Sequence, residues 1–133
     1  MSQLRVTVSF PAGQPVEEQI AVLDELGQAM RARMGPDQRL TRLPELRLPG
    51  GGTGPRRVTG EAVALRVFLL EFPDADGCAN ALRAIGGWYM RHPDLVVSLK
   101  ADGPGGGVSL KLQAFSTVAF ARAAATIGGL MIG

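Results

Sequence analysis

Two side chains in this sequence have the reactivity to open a bond-making step near neutral pH: the single cysteine, Cys78, and the single histidine, His92. A nucleophile needs a base within hydrogen-bond reach, and that base is most often histidine. Cys78 follows Asp74-Ala75-Asp76-Gly77, a helix-start pattern at which the macrodipole can lower a thiol pKa. His92-Pro93 ends the same helix, because the residue before a proline is pushed out of helical geometry. At about 1.5 Å rise per residue the two side chains lie roughly 20 Å apart, so they cannot cooperate within one subunit. A small buried thiol is therefore the role expected of Cys78.

The carboxylates offer no replacement. Glu17-Glu18 and Asp24-Glu25 are adjacent pairs on a helix, where neighbours do not converge. Asp74 and Asp76 suit a helix cap, and Asp102 suits a turn. A structural zinc needs about four closely spaced His, Cys or carboxylate ligands, which this composition does not supply. Gly50-Gly51-Gly52-Thr53-Gly54 invites a phosphate-loop reading, but Pro55-Arg56-Arg57 follows where Lys-Ser/Thr is required. It also lacks the strand, helix and downstream acid of a dinucleotide fingerprint. Residues 49–57 read instead as a flexible Gly/Pro/Arg linker. No catalytic residue, cofactor or metal is expected.

Charge is informative where reactivity is not. The net charge of +2 is small, yet residues 31–66 carry eight arginines (31, 33, 39, 42, 47, 56, 57, 66) against Asp37, Glu45 and Glu61. Arg39, Arg42, Arg47, Arg56 and Arg57 are the candidates to contact carboxylates of a protein partner, since guanidinium pairs with them bidentately. Sequence-independent binding to nucleic-acid phosphates is the alternative. It is the weaker of the two, because base-stacking aromatics are missing nearby.

The elements that must position these groups follow from periodicity. Leu4, Val6, Val8 and Phe10 alternate with Arg5, Thr7 and Ser9 as a half-buried strand. Val16, Ile20, Leu23, Leu26, Met30 and Met34 recur at helical spacing, and Gly35-Pro36 stops that helix. A short strand around Gln38–Leu43 is confined to an edge by the prolines that follow. The apolar run within Val58–Phe72 suits a central strand ending near Phe72, covered on both faces, or a buried helix. A second helix runs from the Asp74 cap to Tyr89 or Arg91, with Ala79, Leu82, Ile85 and Tyr89 as its stripe and Trp88 beside them. Leu95–Ala101 and Gly107–Ala114 pair as a hairpin around a long glycine-rich tip.

A last helix runs from a Ser116 or Thr117 cap to about Ile127, ending at Gly128-Gly129. The segment 115–133 is apolar enough to need covering, by the sheet or by a neighbouring chain, with Phe120 and Leu130 as candidate contact residues. Arg122 near mid-span argues against a transmembrane role. The N-terminus lacks a signal peptide, so a cytoplasmic address is expected. The result is a single α+β domain over residues 1–133, in the order β-α-β-β-α-β-β-α. Its sheet is mostly antiparallel, of four to five strands with two to three helices.

The second half has a further likeness. The helix Ala81-Leu82-Arg83-Ala84-Ile85-Gly86-Gly87-Trp88 leads to Arg91-His92, then to strand Leu95–Leu99, a glycine turn and strand Val108–Leu112. This resembles the effector-associated constant component family of small actinobacterial and related proteins, over about residues 3–115. It departs from the family in following Trp88 with Tyr89-Met90 and in a less acidic C-terminal helix. The resemblance implies a non-enzymatic adaptor of bacterial conflict systems. Its partner would be an effector, protease or TIR-type, or an NTPase switch; a homo-oligomer, expected from the apolar C-terminal segment rather than from the resemblance, is the other association.

Overall fold

The computed structural model describes residues 2–43, 66–113 and 117–132. They form β1 (Ser2–Ser9), α1 (Val16–Arg31), β2 (Arg39–Leu43), β3 (Val67–Phe72), α2 (Ala75–Arg91), β4 (Val96–Gly103), β5 (Gly106–Leu112) and α3 (Thr117–Ile132). This is the α+β order that the periodicities predict. The sheet runs β2-β3-β1-β4-β5, and every neighbouring pair is antiparallel. β1 through β4 with their two helices make a split β-α-β arrangement, and β5 and α3 extend it beyond β4. The expected linker at 49–57 and the first part of the 58–72 run lie outside the described residues. No helix among the described residues is long and apolar enough to cross a membrane.

Strict alternation places one face of the sheet in the core. Leu4, Val6 and Val8 are completely buried and stand opposite Leu70 and Phe68 on β3 and Ala101, Leu99 and Val97 on β4. All three helices contribute to the same core, through Leu23, Leu26 and Met30, then Ile85 and Trp88, then Ala123 and Ile127. On β3, Phe68, Leu70 and Phe72 face the core, while on the other side Val67 is also buried and Leu69 and Glu71 are half-buried. Among the described residues the helices stack on one face alone, as is common for an antiparallel sheet.

Three local expectations change. The buried stripe of α1 is Gln19, Leu23, Leu26 and Met30, with Val16 turned outward. Gln19 is tolerated there because its amide is satisfied at both ends: its Nε2 donates to the Gln14 carbonyl (2.9 Å) and its Oε1 accepts from Arg66 (3.0 Å). A buried amide with both functions paired avoids the desolvation penalty. In α2 the buried face is Cys78, Ala81, Leu82, Ile85, Trp88 and Tyr89, and Ala79 lies at its margin. The hairpin tip is also short: Gly103 pairs with Gly106, leaving Pro104-Gly105 as the loop. Gly106 holds φ +119°, a conformation that a side chain would strain.

The last helix does not stop at Gly128-Gly129 but continues to Ile132. Glycine is a weak helix former. Here the Gly105 N–H of the hairpin tip donates to the Leu130 carbonyl at 2.8 Å, which anchors the final turn.

Candidate functional site

The two reactive side chains are committed to structure. Cys78 lies in the first turns of α2 and is 1% exposed. Burial pushes its thiol from 9.0 up to about 11, so the protonated form prevails near neutral pH and the helix-start dipole does not produce a thiolate. His92 caps the other end of α2. Its Nε2 lies 3.0 Å from Glu25 Oε1, and its ring is 5.2 Å from that of Trp88. Glu25 also receives Arg91, Nη2 to Oε2 at 2.7 Å. Burial would raise the Glu25 pKa, but the hydrogen bonds from His92 and Arg91 outweigh it and hold the carboxyl below its ordinary value. Trp88 Nε1 donates to the Val22 carbonyl at 3.1 Å. Together these groups fasten α2 to α1.

The remaining carboxylates have similar duties. Asp74 Oδ1 accepts from the Gly77 N–H at 3.0 Å, which is the predicted helix cap. Asp24 pairs with Arg42 at 2.7 Å. Among the described residues there is no group of three or more His, Cys, Asp or Glu side chains placed to hold a metal ion.

Of the residues singled out from the sequence as partner contacts, the described ones (Arg39, Arg42, Phe120 and Leu130) do not converge on one surface. Register puts Arg42 on the core-facing side of β2, opposite Phe68. Its guanidinium sits 5.1 Å from the centroid of the Phe68 ring and reaches Asp24 on α1. Arg42 thus closes the sheet edge against a helix, with a cation–π component. Arg39 is exposed and stands opposite Glu71 on the other face. Arg47, Arg56 and Arg57 lie outside the described residues. Phe120 packs on α2 so closely that a Cβ at Gly86 would come within 2.7 Å of its ring. Leu130 meets the hairpin tip beside Gly106. Among the described side chains of α3, Ala123 and Ile127 are buried in cis, Phe120 and Leu130 are half-buried, and Val118 is left outward.

A different cluster emerges on the face of the sheet that carries no helix among the described residues. Arg5, Thr7, Ser98, Lys100, Ser109 and Lys111 line a shallow depression of about 360 Å³ across β1, β4 and β5. Arg5 stands directly opposite Lys100, and Thr7 opposite Ser98. Lys100 in turn faces Ser109, and Ser98 faces Lys111. The three cations are exposed, and none is paired with a carboxylate among the described residues. The acids of this face, Glu71 and Asp102, flank Gln3 towards one end. Alternation in the sequence puts each of the six on the polar side of its own strand. Their convergence depends on sheet order, which periodicity does not encode. No protein-family model, curated protein or solved structure matches the chain.

Proposed function

We propose that this chain is a non-enzymatic adaptor acting by protein–protein contact, the role that the resemblance to effector-associated constant components implies. Its setting would be a bacterial conflict system in the cytoplasm, coupling a sensor or NTPase switch to a protease or TIR-type effector. The observation that carries this reading is the placement of the reactive groups. Cys78 is protonated in the core, and His92 is clipped to Glu25 between two helices. Among the described residues, the open sheet face over β1, β4 and β5 gathers cations and hydroxyls. Such groups hold a partner by charge and hydrogen bonding without altering its covalent bonds.

Co-purification and size-exclusion chromatography with the product of the neighbouring gene test the proposal. A stable mixed complex is the expected result. A chain that ignores that partner and turns over a substrate would overturn it. A second reading, sequence-independent binding to nucleic acid, is favoured by the placement of Arg5, Lys100 and Lys111 on one face of three adjacent strands. It requires affinity for an oligonucleotide that falls steeply with salt. No binding at low salt removes it.

A further inference from the structure

Resting on the adaptor reading, we infer that the open face over β1, β4 and β5 is the contact surface, and that it receives an acidic, extended segment of a partner protein whose carboxylates engage Arg5, Lys100 and Lys111. Like charges directly opposite one another destabilise an antiparallel pair. Arg5 and Lys100 are such a pair, and neither forms an ion pair with a carboxylate among the described residues. An anion supplied from outside the fold removes that repulsion. With strands about 4.8 Å apart and about 3.4 Å per residue, Arg5 and Lys100 lie about 5 Å apart, and Lys111, offset by two residues opposite Ser98, lies about 8 Å from Lys100. Carboxylates two residues apart on an extended chain, about 7 Å, span from the Arg5–Lys100 pair to Lys111.

Thr7, Ser98 and Ser109 stand among the cations and can donate to the remaining carboxylate oxygens. Asp102, beside Gln3, repels an acidic segment at that end and confines it to the cationic one. The described residues of this face include no aromatic ring, so a nucleobase finds no stacking platform there. Charge complementarity without stacking favours a carboxylate-bearing polypeptide over a single-stranded nucleic acid.

The test titrates the full isotope-labelled chain at low salt with a short alternating Glu-Ser peptide, and in parallel with an oligothymidine of equal charge. The peptide should shift the amides of Arg5, Thr7, Ser98, Lys100, Ser109 and Lys111. Joint replacement Arg5→Ser, Lys100→Ser and Lys111→Ser should weaken it by about ten-fold or more, three exposed ion pairs being lost. Arg39→Ser should leave it unchanged. Lys100→Glu should abolish binding while raising the unfolding midpoint by about 1–4 °C, which separates lost recognition from lost folding.

Absence of shifts, shifts centred on Arg39–Arg42, or tighter binding of the oligothymidine to the same amides would overturn the inference. With the natural partner the two readings separate. A partner retained by the triple variant defeats this face and leaves the adaptor standing. Peptide binding without any partner complex defeats the adaptor and leaves the acidic-segment site.

Discussion

The two faces of the sheet are built from the same strands, one residue out of phase, and they obey different rules. On the covered face Leu4, Val6 and Val8 meet Phe68, Leu70, Val97 and Leu99, all 2% exposed or less. Volume and shape determine what can stand there, because interiors are packed as densely as organic crystals. On the open face Arg5, Lys100 and Lys111 sit among three hydroxyls, with opposed like charges that contribute nothing favourable to folding. Residues that folding does not require are where contacts outside the chain are to be sought. The covered face makes the fold, and the open face is free to use it.

The sharpest way to break this contrast is at the centre of the covered side. Trp88→Ala removes a fully buried indole and its hydrogen bond to the Val22 carbonyl. It should cost about 3–5 kcal/mol in urea unfolding followed by circular dichroism. A loss near zero would mean that the helix layer does not depend on this contact.

Next comes the α2–α3 contact. Gly86→Ala drives a Cβ into the Phe120 ring. Overpacking costs about 1–3 kcal/mol, and helix propensity returns about 1, so a net loss of up to about 2 kcal/mol is expected. In a Phe120→Ala background the same substitution should become neutral or stabilising, and the double-mutant cycle reads that coupling.

A smaller effect concerns pH. The folded pKa of Glu25 lies below 4.5, so its contribution is present above 4.5 and is lost as pH falls through the lowered folded value. Its side chain is 40% exposed, and solvent screening keeps the contribution below about 1 kcal/mol. Glu25→Gln should flatten the acid limb of the stability profile measured by thermal unfolding. The smallest change is on the open face, where Lys100→Glu should gain about 0.2–1 kcal/mol by replacing an opposed like pair with an attractive one. A loss there would show that this face is structural, and would erase the distinction between the two sides.

Much of the covered face was legible in the sequence. Period-two alternation marked Leu4-Val6-Val8 and Val97-Leu99, and Asp74 announced the start of α2. Gln19 was missed because its burial depends on Arg66, a partner 47 residues away. The continuation of α3 through Gly128-Gly129 was missed because the Gly105 N–H that anchors it belongs to a different hairpin. Arg42 resembled a free surface cation until register placed it over Phe68 and against Asp24.

By itself the sequence determined the order of elements, the apolar side of each strand, and the separation of Cys78 from His92 along one helix. Those properties are local, set by backbone geometry and periodicity within a few residues. Only the tertiary structure decided which strands became neighbours, and so which polar residues met. Arg5 reaches Lys100 and Lys111 because β1 lies beside β4 and β4 beside β5. That order reflects how the helices bury the common face, and no short-range pattern contains it.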